Sequence, residues 1–466
     1  MLTYDFHNIN GPIYLYLYNC IKKDIISGKL KSGEKLPSKR SFAKNNGIST
    51  ITIQNAYDQL VSEGYVFTLP KRGYYVSEII NSMNTVSKSN ISYDIHVPSE
   101  KNEFIYDLSY NGTDPENFPF SVWAKVTRDV MSNRKNDLMK SAPSGGIREL
   151  RESIANHLSS FRGMIVDPDQ IIIGAGTEYL YGIITQLLGK NKKYVIENPG
   201  YKKLMKIYKH SEIDCGFAAM DNNGIMISEL DRTKAEVAHI CPNHHFPTGI
   251  TMPASRRYEI LAWANQDNKR YIIEDDYDSE FRSEGKPIPT LFSIDGCEKV
   301  IYINTFSKSL TPTIRISYMV LPAHLANKFY ETMSFYSCTV SNFEQYTLAQ
   351  FINQGSFEKH INRMRLFYMR QRKNVIQEIE NSKIGNIFTI IENDSGLHFI
   401  LKVKEGIGSE NFHNLLRENG IHINSLSDYY FSGGDDAKDM YIINYSMISK
   451  NKMREILDIM ENIIKL

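Results

Sequence analysis

The sequence predicts two folded units of different class, a small helical unit that ends in a β-hairpin and a larger α/β unit behind it. Three observations support this division. The first 78 residues hold three helical segments and two short β-rich runs, residues 79–105 show no sustained periodicity, and residues 106–466 alternate helical stretches with short apolar runs. With 466 residues, the chain is long enough for two or three domains.

The N-terminal unit combines three helices with a hairpin. Apolar residues recur at helical spacing in the first segment, and Ser or Thr caps and Asn or Gly stops bound the other two. The helices are predicted at residues 12–27, from Ser38 to Gly47 and from Ser49 to Gly64, and the strands at residues 65–69 and 73–79. This is the element order of a winged helix-turn-helix, whose third helix lies in the major groove of DNA.

Polar and basic residues of this unit are candidates for DNA contacts. The third helix would present hydroxyl and amide groups to base edges, and the turn of the hairpin would present cations to phosphates. The candidates are Ser38, Lys39, Arg40, Ser49, Thr50, Thr52, Gln54, Lys71 and Arg72. Residues 1–80 carry ten Lys or Arg and six Asp or Glu, whereas the remainder has 44 basic and 47 acidic residues. The basic end favours nucleic acid; a protein-interaction module of the same element order is the alternative.

Residues 33–66, GEKLPSKRSFAKNNGISTITIQNAYDQLVSEGYV, resemble the GntR-type winged helix. The matching positions are Gly33, Leu36, Pro37, Ser38, Arg40, Ala43, Thr52, Ala56, Tyr57, Leu60, Glu63, Gly64 and Tyr65. Two features depart from that family: Thr50 stands where an arginine is common, and the wing reads KRGYYV in place of an SGTYV-like turn. The resemblance therefore implies double-stranded operator DNA as a partner, but not the operator sequence.

Behind the N-terminal unit, residues 1–78, a linker rich in Ser, Asn and Lys is predicted at residues 79–105. The rest of the chain, residues 106–466, follows a βαβ rhythm. Helical segments are predicted near residues 145–161, 177–188 and 341–380, and strands at residues 170–174, 193–198, 237–242, 270–277 and 299–306. This rhythm predicts a mostly parallel sheet with helices on both faces, and the mixed pattern of residues 397–466 predicts a smaller α+β subdomain.

Composition limits the compartment. No apolar run approaches the roughly 20 residues of a membrane-spanning helix, and the N-terminus lacks a signal-peptide pattern. The cysteines are odd in number and widely spaced and form no CxxC pair, which argues against disulfides and zinc; they are Cys20, Cys215, Cys241, Cys297 and Cys338. A cytoplasmic protein without a metal site is expected.

Ligands of open α/β sheets bind beyond the carboxyl ends of the strands, and reactive residues lie at or just past the ends of three of the predicted strands. They are Gly176 and Thr177, Asp275 and Tyr277, and, in NTFSKSLTPTIR, Thr305, Ser307, Lys308 and Arg315. Backbone N–H groups, hydroxyls and a guanidinium suit a phosphate, a desolvated lysine forms a Schiff base, and a carboxylate pairs with a pyridinium nitrogen. Singly, each residue is more commonly a cap, a salt bridge or a surface group. Together they favour pyridoxal 5′-phosphate (PLP) as the cofactor.

Residues 106–466 also resemble fold-type I aminotransferases, through SGGIRELRESIANHL, FRG, IIIGAGTEYL, ENPGY, CPNHHFPTG, EDDYDSEF and FSKSLTPTIRISYMV. A GntR-type winged helix linked to such a domain is the arrangement of the MocR/GabR regulators, and the chain resembles that family. The resemblance implies a head-to-tail homodimer and a role for each site residue. Lys308 would form the Schiff base, Asp275 would pair with the pyridine nitrogen, Tyr277 would contact the ring hydroxyl, Tyr201 would stack on the ring, and Gly176, Thr177, Thr305, Ser307 and Arg315 would surround the phosphate.

The chain departs from the aminotransferase pattern at two points. Phe246 replaces the asparagine that precedes Pro-Thr-Gly, so that His244 or His245 would have to substitute for that ring contact. Transaminases usually bind the substrate α-carboxylate with an arginine of the C-terminal subdomain, because bidentate contacts fix the amino acid. Residues 439–449, where it is expected, contain none, and Lys203 stands where the GabR-like pattern often has an arginine.

Three functions are therefore open: a transcription regulator that uses the aminotransferase fold as a sensor, an aminotransferase with an accessory DNA-binding domain, and a degenerate fold kept for dimerisation. The weakened clamp favours the regulator, with at most weak transaminase half-reactions. Its effector would be PLP itself, as in the branch that controls vitamin B6 synthesis, or an amino acid or amine such as GABA held by Lys203. Events at Lys308 would shift the paired winged helices through the linker and the dimer interface.

Overall fold

The computed structural model describes residues 2–6, 11–78, 95–97, 104–110, 112–281, 288–391, 396–404 and 410–464. The chain forms two compact units, Met1–Lys101 and Asn102–Leu466. Most of the predicted linker, residues 79–105, lies outside the described residues. None of the described helices is both long and apolar enough to cross a membrane.

The N-terminal unit has the predicted winged helix-turn-helix order. Its elements are α1 (Ile13–Ile26), α2 (Lys39–Asn46), α3 (Thr50–Ser62), β1 (Val66–Leu69) and β2 (Gly73–Val76). The hydroxyl of Ser38 caps α2 by accepting from the Ser41 N–H, and that of Ser49 caps α3 by accepting from the Thr52 N–H. Such caps satisfy N–H groups that have no partner inside the helix. Between the helices the core is closed by fully buried apolar side chains, among them Leu17, Ile21, Ile53, Tyr57 and Leu60.

The large unit alternates strands and helices. Its elements are β3 (Tyr106–Asp107), α4 (Phe120–Asn133), α5 (Lys135–Leu138), α6 (Arg148–Arg162), β4 (Ile171–Gly174), α7 (Thr177–Leu188), β5 (Tyr194–Asn198), α8 (Lys202–His210), β6 (Cys215–Asp221), β7 (Gly224–Ile225), α9 (Ile227–Arg232), β8 (Val237–Ile240), α10 (Ala254–Asn265), β9 (Tyr271–Asp275), α11 (Leu291–Ile294), β10 (Val300–Thr305), α12 (Phe306–Ser309), β11 (Ser317–Val320), α13 (Ala323–Met333), α14 (Asn342–Asn353), α15 (Ser356–Asn381), β12 (Phe388–Ile391), β13 (His398–Val403), α16 (Glu410–Glu418), β14 (Ile421–His422), β15 (Asn424–Ser425), β16 (Met440–Asn444) and α17 (Lys450–Ile464).

Eight strands form the central sheet in the order β4-β11-β10-β9-β8-β5-β6-β7. The pairs β10·β9, β9·β8, β8·β5 and β5·β6 are parallel, as predicted, and the residues of β4, β5, β8 and β10 are buried, as expected for a sheet covered on both faces. The sequence does not predict β11, which runs antiparallel between β4 and β10. The sheet is therefore mixed.

The C-terminal part is the predicted α+β subdomain. Strands β12, β13, β16 and β15 form an antiparallel sheet, and α15, α16 and α17 contribute to the same hydrophobic core. The helical segment predicted near residues 341–380 is two helices, α14 and α15. Gly355 separates them with φ +74°, a backbone conformation that glycine adopts without strain.

Candidate functional site

The strand register brings the three predicted reactive segments to one edge of the sheet. Thr305, the last residue of β10, lies opposite Ser317 of β11, which lies opposite Gly174 at the end of β4. On the other side of β10, Asp275 of β9 lies opposite Ile303. The turn after β4, the acidic end of β9 and the segment after β10 therefore converge, as expected at the carboxyl ends of parallel strands.

Lys308 lies on α12, a single helical turn that begins where β10 ends. Thr305 caps this turn, since its Oγ1 accepts from the Ser307 N–H at 3.1 Å and from the Ser317 hydroxyl at 2.8 Å. The Thr305 hydroxyl thus holds the segment that carries Lys308. Burial lowers the pKa of Lys308 to about 8, against an opposing effect of the nearby Asp278 carboxylate. A lysine with this pKa is partly uncharged near neutral pH and is a competent nucleophile.

Asp275 is buried and has two different oxygens. Oδ2 accepts from the Tyr181 hydroxyl at 2.5 Å and lies 3.5 Å from Nε2 of His239. Oδ1 has no hydrogen-bond partner among the described residues. The Tyr208 hydroxyl contacts the other ring nitrogen of His239 at 2.7 Å. A buried carboxylate oxygen without a partner is costly, and a donor brought by a ligand would satisfy it.

Sequence reasoning missed Tyr181, His239 and Tyr208. Tyr181 is four residues after Thr177 on α7 and so lies one helical turn further along the same face. His239 is on β8, the neighbour of β9 in the sheet. The positions of Tyr181 and His239 point to Asp275 only once the order of the strands in the sheet is known.

At the start of α7, Gly176, Thr177, Glu178 and Arg315 form what we name the anion corner. Gly176 has φ +91°, and a Cβ at that position would lie 2.2 Å from Nη2 of Arg315. Arg315 Nη2 donates to Glu178 Oε2 at 3.2 Å, and the ammonium of Lys203 pairs with Oε1 of the same carboxylate. Hydrogen bonds from Lys203 hold the pKa of Glu178 below its usual range. Lys203, the predicted effector ligand, is therefore ion-paired in this state.

The remaining ring-side residues lie around His244. Its Nδ1 is 3.2 Å from the Tyr277 hydroxyl and 2.8 Å from Oδ2 of Asp278. His245 instead contacts the Thr248 hydroxyl at 2.7 Å. Of the two histidines proposed to replace the missing asparagine, His244 therefore lies beside the predicted partner of the ring hydroxyl.

Phe246 belongs to an aromatic group around Tyr201. The ring centroids of Phe246 and Tyr201 are 6.3 Å apart with the rings nearly perpendicular, and Phe246 is also 5.3 Å from His398 and 5.1 Å from Tyr429. Tyr201 precedes α8 and is 45% exposed. Its ring face is thus partly open to a planar ligand.

The two arginines that flank the predicted clamp region are engaged elsewhere. The Arg417 guanidinium lies 6.0 Å from the ring centroid of Phe104, and Arg454 is ion-paired with Glu378 at 3.1 Å. In the sequence, β16 lies between these two arginines, and most of its residues are buried in the antiparallel sheet. Among the residues described, no cluster of His, Cys, Asp or Glu has the arrangement of a metal site.

In the N-terminal unit, the predicted DNA contacts lie on the start of α2, on α3 and in the wing. Ser38, Arg40, Ser49, Thr50, Lys71 and Arg72 are exposed, and Lys39, Thr52 and Gln54 are partly buried. The Lys39 ammonium pairs with Oε1 of Gln54, which links α2 to α3. Sequence reasoning missed Ile51, an apolar residue of α3 that is 71% exposed.

Comparison with known proteins agrees with both units. The family model described as aminotransferase class I and II matches residues 105–458, and that of the bacterial regulatory proteins of the gntR family matches residues 13–76. The uncharacterized HTH-type transcriptional regulator YdeL of Bacillus subtilis (strain 168) is 36% identical over 419 residues, 90% of each chain. The HTH-type pyridoxine biosynthesis transcriptional regulator PdxR of Corynebacterium glutamicum is 27% identical over 94% of this chain and 92% of its own.

Among solved structures, the kynurenine aminotransferase of Pyrococcus horikoshii, determined in complex with PMP, superposes with a TM-score of 0.66 at 22% identity and covers 78% of this chain and 91% of its own. At that identity the match shows the fold alone, a fold-type I aminotransferase fold. The two family models match both units of the chain and therefore show its family as well as its fold. The chain belongs to the MocR/GabR-type transcriptional regulators, in which a GntR-type winged helix is joined to an aminotransferase class I and II domain.

Proposed function

We propose that this protein is a PLP-dependent, DNA-binding transcription regulator that senses PLP, or an amino acid or amine, through Lys308. The observation that carries the proposal is that two unusual groups lie at the same edge of the sheet. One is Lys308, because burial lowers its pKa to about 8, and the other is the buried Oδ1 of Asp275, which has no partner among the described residues. One group is a nucleophilic amine and the other needs a hydrogen-bond donor. A pyridoxal ligand satisfies both needs.

The residues present fit this cofactor. When bound, PLP supplies an aldehyde that condenses reversibly with a primary amine, here the side chain of Lys308. Asp275 would accept from the protonated ring nitrogen, Tyr277 and the adjacent His244 would hold the ring hydroxyl, and Tyr201 would cover one ring face. The anion corner would take the phosphate, because Gly176 lets the chain approach Arg315 closely and no described side chain caps the start of α7. Ser307 and Thr305, which caps α12, would complete that side.

Sensing rather than turnover is supported by the absence of a carboxylate clamp. Residues 439–449 contain no arginine, and Lys203, its possible substitute, is paired with Glu178. A substrate carboxylate would have to displace that pair, at a loss of the fixed orientation that transamination needs. The effector is therefore PLP itself or an amine bound without a rigid clamp, and the similarity to a regulator named for pyridoxine biosynthesis supports control of vitamin B6 metabolism.

The exposed polar residues of α3 and the basic wing would bind operator DNA. Two winged helices in a homodimer would read paired half-sites, so that a change in their relative placement changes affinity through effective concentration. A change at Lys308 biases this equilibrium only if the liganded state binds the operator with a different affinity. A cytoplasmic homodimer is part of the proposal.

The test is a visible absorption spectrum of the purified full chain while PLP and then a panel of amines are added, with operator binding measured in parallel. Lys308→Ala should abolish the visible band and the ligand response of DNA binding, whereas Lys359→Ala, at an exposed lysine of α15, should change neither. A band unresponsive to amines indicates PLP as the signal, and a band shifted by one amine indicates an amine sensor. Release of a keto acid with full conversion would establish a transaminase instead, and no band even with added PLP would overturn the proposal.

A further inference from the structure

Asp275 contacts two buried side chains, Tyr181 and His239, that have no part in the proposed cofactor site. Its Oδ2 accepts from the hydroxyl of Tyr181 at 2.5 Å, and both side chains are buried. Its Oδ1 is the oxygen without a partner among the described residues. The carboxylate is therefore asymmetric: one oxygen is bound within the chain, and the other is left for a ligand.

The protonation of the surrounding groups determines which of them can donate. The Tyr208 hydroxyl is fully buried, and burial raises its pKa well above the usual value, so it carries its proton and donates to Nδ1 of His239. With Nδ1 accepting, the ring proton of His239 is on Nε2, which lies 3.5 Å from Asp275 Oδ2. That distance is longer than a good hydrogen bond, so the short bond from Tyr181 is the one that fixes the carboxylate.

We propose that Tyr181 is a positioning residue of the cofactor site: its hydroxyl holds Oδ2 of Asp275, so that Oδ1 is kept in place for the ring nitrogen of a pyridinium ligand. This inference rests on the proposed function and extends it to a residue that acts through Asp275. Because Tyr181 is on the helix that begins at Thr177, directly after Gly176, one element would set both the phosphate side and the ring-nitrogen side of the site.

Tyr181→Phe would keep the ring and its volume but remove the hydroxyl that, among the described residues, makes the short bond to Oδ2. The freed carboxylate would rotate or turn towards His239, and its bond to a ring nitrogen would weaken. The effect should appear only with ligands that carry a ring nitrogen. A purely structural role for Tyr181 would instead weaken the binding of any ligand of the same shape.

The experiment measures equilibrium binding of PLP and of its 1-deaza analogue, which has a C–H group in place of the ring nitrogen, to the full chain by absorption titration. For Tyr181→Phe we expect PLP binding to weaken by roughly three- to tenfold, the size of effect that loss of one ordinary intramolecular hydrogen bond has, and analogue binding to change by less than about twofold. The matched control is Tyr194→Phe, which also removes a fully buried hydroxyl, but one without a hydrogen-bond partner in the described chain.

Equal losses for PLP and the deaza analogue, or no loss for either, would overturn the positioning role and leave the proposed function intact. An equal loss in Tyr194→Phe would do the same, since it would trace the effect to packing. As a second measurement, Tyr181→Phe should have no further effect on PLP binding in an Asp275→Asn background, because the coupled partner is already removed. A wild-type chain that binds neither ligand would overturn the proposed function itself.

Discussion

Glu178 and Arg315 are ion-paired at the anion corner, with 3.2 Å between Oε2 of the carboxylate and Nη2 of the guanidinium. Lys203 pairs with the other carboxylate oxygen. Glu178 is thus an internal anion between two cations, at the helix start where a phosphate is proposed to bind. A phosphate would compete with this carboxylate for Arg315, and an effector carboxylate would compete with it for Lys203.

Glu178→Gln should therefore strengthen phosphate binding. The amide keeps the shape of the side chain but removes the competing charge. Because all three groups are substantially exposed, water screens the pairs and the gain should be modest, about two- to fivefold in the dissociation constant of PLP. Titration of PLP by absorption measures it, with Glu152→Gln, an exposed ion-paired glutamate of α6, as control. Weaker binding in Glu178→Gln would instead mean that the carboxylate holds Arg315 in its binding position.

Gly176→Ala should prevent the Arg315 guanidinium from lying close to the start of α7 in the anion corner. The added methyl group would meet the Arg315 guanidinium at 2.2 Å, so Arg315 would have to move away from the start of α7. We expect PLP affinity to fall by about tenfold or more, together with roughly 1–3 kcal/mol of stability from the positive φ. Gly189→Ala is the matched control, because Gly189 has φ +102° and ψ 140°, close to the φ +91° and ψ 159° of Gly176, and nothing lies within 4 Å of its Cβ position. Equal PLP affinity in the two variants would contradict this account of Gly176.

The sequence was sufficient for the fold class and for the edge of the sheet at which the site lies. Short apolar runs marked β4, β5, β8, β9 and β10; Asp275 is the last residue of β9, and Lys308 lies three residues beyond the end of β10. Strand β11 was missed because SYMV follows a Pro- and Thr-containing stretch, and the only α-helix between it and β10 is the single turn of α12, so the βαβ rhythm does not extend to it.

Sequence reasoning did not predict the contacts between side chains that are far apart in the sequence. Tyr181 and Asp275 are separated by 94 positions, and Lys203 and Glu178 by 25. Their contacts depend on which face of α7 is turned towards β9 and towards α8, and apolar periodicity does not resolve that rotation for polar residues. The expectation that Lys203 would be available to an effector carboxylate therefore did not include its pairing with Glu178.

The rate at which PLP attaches to the chain should depend on pH through Lys308. Only the uncharged amine attacks an aldehyde, and burial lowers the pKa of Lys308 from the usual value near 10.5 to about 8. The rate should rise by about tenfold per pH unit below 8 and level off above it. Stopped-flow absorption on chain freed of cofactor measures this, and a rate that still rises between pH 9 and 10 would show an unperturbed lysine.

The same shift affects stability. The folded chain releases the Lys308 proton at lower pH than the unfolded chain, so between about pH 8 and pH 10.5 the unfolded state binds more protons and stability increases with pH. Lys308→Met, which cannot ionise, should lose this contribution, and its cofactor-free form should be more stable than wild type below pH 8. Urea unfolding at pH 7 and pH 9 checks the sign, and a variant less stable than wild type at pH 7 would contradict it.

Ile51 and Lys71 should affect operator binding in different ways. Ile51 is an apolar side chain exposed on α3, suited to the methyl group of a thymine, whereas Lys71 is an exposed cation in the wing, suited to a phosphate. Ile51→Ala should weaken operator binding by roughly fivefold and leave binding to unrelated DNA unchanged.

Lys71→Ala should weaken binding to the operator and to unrelated DNA alike and reduce the slope of log affinity against log salt by about one. Ile165→Ala, at an isoleucine 89% exposed in the large unit, should change neither. Equal losses on both DNAs for Ile51→Ala would remove Ile51 from base recognition.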